Sequence, residues 1–365
     1  MTAPTTPAGT SGDKPTIDLD QAATTTLRPE AREEMLEWLG PRHGNPSGAH
    51  SLARAARRAV DVARQQVAAS VGARPGEIVF TSGGTESDNL AITGAVLSAL
   101  RRSVSSPLVA CSAVEHSAVR SPVRVAGGSE LPVDGDGVVD LAALDAFLAR
   151  EAGERLALVS VMLVNNETGV VQPVAEVADL VRRRSPSTLV HCDAVQGFVW
   201  LDAAEALAPA DLVSISAHKF QGPQGVGALV VREGARRRLL AVSSGGPQER
   251  ELRPGTHNVA GCVGMGVAAE LAARERRASV ARVELLADRF VALLREGAAC
   301  VEAVPRARRV GAICNLRVPG VVSEELLLTL DEAGVCASAG SSCASGATEP
   351  SQVLSAMGVP PDVAK

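Results

Sequence analysis

The chain contains few aromatic residues and no long apolar run. Aromatic residues make up 2% of its 365 residues and tyrosine is absent, so Leu, Val and Ala must fill the core. No apolar run approaches the roughly 20 residues that a membrane span requires. Residues 1–15 lack the apolar segment of a signal peptide and are rich in Thr, Pro, Ala and Gly. We therefore expect residues 1–16 to form a disordered tail and the protein to have no contact with a membrane.

Net charge and cysteine content exclude further classes. A net charge of −5 gives no basic footprint for nucleic acid. Seven cysteines, an odd number without a C-x-x-C pair, are not typical of a disulfide framework or a zinc site. The composition therefore predicts a protein of the reducing cytoplasm that binds no nucleic acid and has no metal site.

Lysine is the third scarce residue, and one of the three lysines lies in an unusual place. Two are near the chain ends, whereas Lys219 lies in residues 211–227 (DLVSISAHKFQGPQGVG), after an apolar run and before a Gly/Pro-rich turn. An amine condenses with a carbonyl and a guanidinium does not. Burial at the end of a strand would favour the neutral amine. Lys219 is therefore a candidate for a Schiff base, and a snorkelling surface lysine is the alternative.

Apolar runs alternate with amphipathic segments along most of the chain. The patterns predict strands at residues 107–112, 155–164, 188–193 and 228–231, and helices at residues 28–39, 53–71, 89–100, 140–150 and 174–184. This alternation is typical of a doubly wound, mostly parallel α/β domain.

The pattern changes character towards the C-terminus. Helices at 263–276, 280–295 and 324–333 and a strand at 310–318 predict a smaller α+β domain. We place the large domain at residues 17–260 and the small one at 261–365, with 17–30 a segment that could pack on the small domain.

Polar residues follow several predicted strands. Residues 77–87 (EIVFTSGGTES) run from a strand through a Gly-Gly turn into a helix that opens at Thr85, which suits a phosphate but also any capped turn. His116 follows a strand where open α/β sheets bind ligands, and a water-bound loop histidine is the alternative. Asp193 follows an apolar strand and needs a cationic or protonated partner.

A run of small residues at 335–351 (VCASAGSSCASGATEPS) surrounds Cys343. Such a run suits a thiol that must move with a flexible loop, although a small buried side chain that fills space is the commoner role of a lone cysteine. A Schiff-base lysine, a phosphate seat, a carboxylate for a ring nitrogen and a histidine able to stack together indicate pyridoxal 5′-phosphate (PLP).

At this point a family resemblance becomes specific. The chain resembles cysteine desulfurases of the NifS/IscS type, within the class V aminotransferase family of fold-type I PLP enzymes. The matching stretches occur in the family's order from about Ile17 to Gly358: DLDQAATT, HGNPSGAHSLARAARRAV, EIVFTSGGTESDNLAI, VEHSAV, VNNETGVVQP, HCDAVQ, SISAHKFQGPQGVGAL, RPGTHNV and SAGSSCASGATEPS.

The resemblance implies how the cofactor is held. Lys219 would bind it covalently and move protons at the substrate Cα and the cofactor C4′. Asp193 would pair with the protonated ring nitrogen, Gln196 would hydrogen-bond the phenolic oxygen, and His116 would stack on the ring. The other contacts implied are the phosphate ligands Gly84, Thr85, Ser216 and His218, Thr256 of a neighbouring subunit, and Asn166 near the phenolic oxygen and the substrate carboxylate. A contact from a neighbouring subunit implies a homodimer.

The resemblance also assigns Cys343 as the nucleophile. Its thiolate would attack the sulfur of L-cysteine and leave L-alanine and a Cys343 persulfide. An acceptor protein, such as an iron–sulfur scaffold, or a reductant would then take the sulfur. No resident metal is implied, although Cys343 is a candidate ligand of a transient iron–sulfur cluster.

Three departures from the family pattern concern the substrate more than the cofactor. The family usually continues into a strand with an arginine that grips the substrate carboxylate, and this sequence ends before it. Either the arginine is missing, or another residue such as Arg253 substitutes for it, or the sequence is truncated. Residues 244–247 (SGGP) replace a histidine and three glycines, and Gln21 replaces asparagine or tyrosine. Two alternatives stay open: another PLP enzyme, such as an aminotransferase or selenocysteine lyase, or a catalytically weak sulfur-relay subunit.

Overall fold

The computed structural model describes residues 16–151, 153, 155–340, 350–360 and 363. Its strands are β1 Ile17–Asp18, β2 Ile78–Thr81, β3 Leu108–Ser112, β4 Ser129–Leu131, β5 Leu156–Ser160, β6 Leu189–Asp193, β7 Leu212–Ser216, β8 Gly227–Val231, β9 Val301–Glu302, β10 Leu316–Arg317 and β11 Val335–Cys336. Its α-helices are α1 Pro29–Leu39, α2 Ser51–Ser70, α3 Gly84–Arg101, α4 Ser117–Val125, α5 Leu141–Glu151, α6 Val174–Arg184, α7 Ala203–Ala206, α8 Val259–Gly297, α9 Ser323–Glu332 and α10 Gln352–Ala356.

Seven strands form one sheet in the order β2-β8-β7-β6-β5-β3-β4. Strand β8 runs antiparallel to both of its neighbours, and the other pairs are parallel. Every residue of β3, β5, β6, β7 and β8 is buried, as expected for a mostly parallel sheet with helices on both faces.

The helices cover the two faces of the sheet in separate groups. Side chains alternate along each strand, so Val213 and Ile215 of β7 pack with α2 and α8, whereas Leu212 packs with α3 and α4. Helices α5 and α6 cover the β3 and β5 part of the first face. The predicted doubly wound, mostly parallel α/β fold is confirmed.

Two predictions for the later part of the chain are wrong in detail. The helices predicted at 263–276 and 280–295 are one helix, α8, because the residues between them are helix formers without Gly or Pro. The strand predicted at 310–318 is reduced to β10, which pairs with β9. The predicted domain boundary after residue 260 falls at the start of α8, and the division into two domains stays a prediction.

The N-terminal segment pairs with a distant part of the chain. Strand β1 lies parallel to β11, with Ile17 opposite Val335 and Asp18 opposite Cys336. The following residues, 20–25, run past the carboxyl end of the central sheet, where Thr25 N–H donates to the His218 carbonyl at 2.9 Å. Among the described helices, none combines the length and apolarity needed to cross a membrane.

Strand β8 lies close to the turn after β2, and Gly227 permits this approach. A Cβ on Gly227 would lie 2.7 Å from the Gly83 Cα and 2.7 Å from the Ile215 carbonyl oxygen, both of them backbone atoms. We expect Gly227→Ala to lower the free energy of unfolding by about 1–3 kcal/mol in urea denaturation, since the backbone must shift.

Gly234→Ala is the matched control for this substitution. Nothing lies within 4 Å of a Cβ at Gly234, so its stability should stay within about 0.5 kcal/mol of the parent. Equal stability of the two variants would contradict the close approach.

Candidate active site

The site lies at the carboxyl ends of the parallel strands. Asp193 ends β6 and Ser216 ends β7. His116 follows β3, and Asn166 follows β5. Because these ends lie along one edge of the sheet, residues far apart in sequence converge there.

Asp193 is the acid at the centre of this edge. Its side chain is buried, and its Oδ1 accepts a hydrogen bond from the Val195 N–H at 2.9 Å. Burial raises the pKa of Asp193, whereas the Val195 N–H and the positive charges of His116 and Lys219 lower it. The carboxyl group is therefore buried next to two potential cations.

Lys219 lies at the end of a short 3₁₀ turn, Ala217–Lys219, directly after β7. The half-buried Nζ donates to the carbonyls of Ala22 at 2.6 Å and Ala23 at 2.7 Å. Gln196 Nε2 donates to the same Ala22 carbonyl at 2.7 Å. The N-terminal segment thus brings the amine and Gln196 together, in contrast to a snorkelling surface lysine.

The turn between β2 and α3, the anion seat, has the features of an anion-binding site. Gly83, the residue before the helix, has a φ of 155°, and a Cβ there would lie 3.7 Å from the Ser216 hydroxyl. A Cβ on Gly84 would lie 2.8 Å from Val195 Cγ2. No side chain caps α3, all of whose residues are described, so its first N–H groups and the exposed Thr85 can bind an anion beside Ser216.

Two histidines flank this arrangement in defined orientations. His116 caps α4, with its Nδ1 accepting the Ala118 N–H at 3.2 Å. His218 Nδ1 lies 3.1 Å from the Thr24 hydroxyl. Burial, with the nearby Lys219 charge, lowers the pKa of His218 to about 4, so this ring is neutral at pH 7.

The comparisons with known proteins agree with this geometry. The chain is 40% identical over 356 residues to a cysteine desulfurase IscS of Dictyoglomus turgidum, with 95% of this chain and 87% of the relative covered. It is 42% identical over 359 residues to a cysteine desulfurase of Cereibacter sphaeroides, with 94% and 87% covered. A solved NifS-like protein superposes with a TM-score of 0.86 at 32% identity, covering 96% of this chain and 91% of that chain. The profile of the class-V aminotransferases matches residues 17–359.

The chain belongs to the class-V aminotransferase family. The resemblance to cysteine desulfurases of the NifS/IscS type is confirmed, and PLP is the cofactor of this family.

The residues of this class-V aminotransferase fit PLP in kind and in position. A buried carboxyl group suits a protonated ring nitrogen, the uncapped α3 terminus suits the phosphate, and a half-buried primary amine lies near the carboxyl group. The region also contains two buried carboxyl oxygens, Asp88 Oδ1 and Glu115 Oε2, without a hydrogen-bond partner among the described residues. Burial raises the pKa of both side chains, so Asp193, which has two nearby cations, is the acid of this region that suits a cationic ring.

For the remaining predicted residues the structure gives less information about their roles. Thr256 is exposed on the loop before α8, and Asn166 is half-buried in the turn after β5. Cys343 lies outside the described residues. Arg253 forms an ion pair with Glu86 at 2.9 Å in the first turn of α3, so its guanidinium is engaged at the anion seat, which argues against Arg253 as the grip for a substrate carboxylate.

Asn165, next to the predicted Asn166, was missed by the sequence reasoning. Its buried Nδ2 donates to the Val114 carbonyl at 2.9 Å, and its Oδ1 accepts from the N–H groups of Glu167 and Thr168 at 2.9 Å. It holds the turn after β5 against the turn that carries His116. The adjacent asparagines were a signal, because asparagine often bonds its own backbone two or three residues on.

Glu249 is a second residue that the sequence reasoning missed. It accepts hydrogen bonds from Arg64 at 2.5 and 2.8 Å, from the Phe80 N–H at 2.8 Å and from His257 at 2.7 Å. Three successive non-glycine residues, Glu249, Arg250 and Glu251, have φ values of 47°, 56° and 65°. These contacts offset the strained backbone and hold the loop that presents Thr256.

Removing the Glu249 charge should destabilise the protein strongly at neutral pH. Glu249→Gln leaves Arg64 buried without its partner, and we expect a loss of about 3–5 kcal/mol by urea denaturation. Glu233→Gln, which breaks an ion pair between the exposed side chains of Arg74 and Glu233, is the control and should cost about 0–1 kcal/mol.

The difference in stability between the parent and Glu249→Gln should depend on pH. The Glu249 contacts lower its pKa to about 2 although burial opposes this. The stability that they contribute is therefore complete above about pH 5 and is lost as the pH falls towards the folded-state pKa. The difference between the parent and Glu249→Gln should shrink over that range, and a constant difference would contradict an ionised Glu249.

Proposed function

We propose that the chain is a PLP-dependent cysteine desulfurase that converts L-cysteine to L-alanine and leaves the sulfur as a persulfide on Cys343. The observation that carries the proposal is the grouping of Lys219, Asp193 and the uncapped α3 terminus at one edge of the sheet. The identity to curated cysteine desulfurases, at about 40% over most of the chain, supports the choice of reaction.

Each residue of the edge has a task in this proposal. PLP, when bound, supplies an electron sink that makes the proton on the substrate Cα labile. Lys219 holds the cofactor and moves protons at the substrate Cα and at C4′. Asp193 keeps the ring nitrogen protonated, His116 stacks on the ring, and Gln196 bonds the phenolic oxygen. The remaining contacts are those of Gly84, Thr85, Ser216 and His218 with the phosphate and of Asn166 near the phenolic oxygen and the substrate carboxylate.

The sulfur step needs no outside oxidant. The Cys343 thiolate attacks the substrate sulfur, so an S–S bond forms as the Cβ–S bond of the substrate breaks. The electron pair of the broken bond stays with the substrate fragment, which gains a proton at Cβ and becomes alanine. Cys343 then holds a persulfide for an acceptor, which we propose to be an iron–sulfur scaffold or a thiolation protein.

Substituting Cys343 tests the nucleophile. Cys343→Ser should retain the visible absorption of bound PLP but lose at least about 100-fold in alanine formation from L-cysteine with a reductant present, because a hydroxyl is a poor nucleophile near neutral pH. Mass spectrometry should find one extra sulfur on Cys343 in the parent protein and none at residue 343 of the variant.

The control is Cys300→Ser, a half-buried cysteine that is free in the structure, and it should keep the parent activity. Unchanged turnover in Cys343→Ser would favour an aminotransferase or a selenocysteine lyase with Cys343 as a bystander. Bound PLP with negligible alanine formation in the parent itself would favour a sulfur-relay subunit.

We also propose a homodimer in which Thr256 contacts the phosphate of the neighbouring subunit. Thr256 is exposed on its loop, while the loop itself is anchored by Glu249 and Arg253. An exposed hydroxyl on a rigidly held loop is suited to reach a second chain.

Subunit mixing tests the shared site. Lys219→Ala and Thr256→Ala homodimers should each have low activity, whereas exchanging their subunits should restore about a quarter of the parent activity, since half of the dimers then carry one intact site. Each variant mixed with itself is the control. Failure to recover activity, with exchange shown by differently tagged subunits, would contradict a shared site.

A reducing cytoplasmic setting is part of the proposal. The six cysteines in the described residues, Cys111, Cys192, Cys262, Cys300, Cys314 and Cys336, are all free, as is usual for proteins of the cytosol.

A further inference from the structure

A group of polar side chains lies buried between α3 and the sheet, where apolar contacts would be expected. This buried polar cluster consists of Asp88 of α3, Ser160 of β5, His191 of β6 and Ser214 of β7, each at most 1% exposed. The strand alternation places His191 on the same face of β6 as Asp193. The register places Ser160 beside His191 and Ser214 beside Asp193. The cluster therefore adjoins the acid at the centre of the site.

Hydrogen bonds connect the three sheet residues of the cluster. His191 Nδ1 lies 2.8 Å from the Ser160 hydroxyl, and Nε2 lies 3.0 Å from the Ser214 hydroxyl. Burial lowers the pKa of His191 to about 3, so the ring is neutral and has one donor and one acceptor. Asp88 Oδ1 lies 3.6 Å from His191 Nε2, too far for a hydrogen bond.

The surroundings of Asp88 favour its neutral form. Burial raises the pKa of Asp88 well above its usual range, the Asp193 carboxylate from β6 raises it further, and the Ser214 hydroxyl opposes the shift. Glu115, from the turn after β3, adds to the rise. A neutral Asp88 can donate to the Ser214 hydroxyl, Ser214 to His191 Nε2, and His191 Nδ1–H to the Ser160 hydroxyl, so one chain of donors and acceptors runs from α3 to β5.

Helix α3 links this cluster to the phosphate seat. Its first residues, Gly84 and Thr85, form the seat, and Asp88 lies one turn further along the same helix. Ser214, which faces Asp88, is paired in register with Asp193. Because the helix is rigid, fixing Asp88 against the sheet also fixes the distance between the first turn of α3 and Asp193.

We propose that Asp88 is a positioning residue that, through Ser214 and His191, sets the separation between the phosphate seat and Asp193. The phosphate seat and Asp193, which bind opposite ends of PLP in the proposed function, are then held at the separation that PLP requires. This inference deepens the proposed function and rests on the proposed contact of Asp193 with the ring nitrogen.

The test compares a ligand that binds through both its phosphate and its ring with a ligand that binds through the ring alone. Full-length apoprotein is titrated by absorbance with PLP and, separately, with pyridoxal, which lacks the phosphate. Asp88→Leu should weaken PLP about 10-fold to 100-fold, because a buried hydrogen-bond chain loses its donor and the seat shifts. The affinity for pyridoxal should change by less than about 3-fold, since the ring contacts remain.

Asp88→Asn is the matched conservative variant. Its amide keeps a neutral donor and acceptor in nearly the same shape, so both affinities should stay within about 3-fold of the parent. Ser214→Ala only removes a hydroxyl group, so it can replace Asp88→Leu in the test if the leucine variant does not fold. It should weaken PLP more than pyridoxal.

Several outcomes would overturn the inference. One is an unchanged PLP affinity in Asp88→Leu, or in Ser214→Ala if the leucine variant does not fold. Others are an equal loss for PLP and pyridoxal, and a loss in Asp88→Asn as large as in Asp88→Leu. Asp193→Asn distinguishes a failure of the proposed function from a failure of this inference. If the absorption spectrum of bound PLP is the same in that variant as in the parent, the proposed ring contact is wrong and the inference falls with it.

Discussion

The structure depends on a carboxyl group buried at the end of β6. A charge in that position is costly unless a partner offsets it. Burial raises the pKa of Asp193, and the nearby charges of His116 and Lys219 offset part of that rise. One partner comes from the turn after β3 and the other from the turn after β7. Only a parallel sheet whose strand ends meet at one edge brings these three turns together, so the fold and the chemistry of the site have the same origin.

The N-terminal segment and helix α3 complete this edge from opposite directions. The carbonyls of Ala22 and Ala23 accept hydrogen bonds from Lys219, which hold the amine near Asp193. Helix α3 presents its uncapped first turn next to Ser216. The acidic Glu86 in that turn would repel an anion, but its ion pair with Arg253 offsets the charge. The seat thus keeps its positive character.

Local patterns were sufficient for the fold and for part of the site. Apolar runs followed by Asp193, His116 and Lys219 could be recognised because strand, turn and polar residue are adjacent in sequence. Asp88, His191 and Glu249 could not be recognised in this way, because their partners are far away in sequence: Asp88 faces Ser214, and Glu249 bonds Arg64. A trace of Asp88 was visible, since it shares a helical face with the buried Ala91 and Ala95. The single helix α8 was missed because one polar stretch was taken for a break.

The buried acids show how partners decide charge in this protein. Glu249 accepts from a guanidinium, a backbone N–H and His257, and its pKa is lowered to about 2. Glu115 is buried and, among the described residues, accepts hydrogen bonds from the Ser112 hydroxyl and the Met162 N–H, and burial raises its pKa to about 8. Asp193 lies between these cases, with one N–H donor and two nearby cations. It is therefore the buried acid of the site whose charge a cationic ligand can decide.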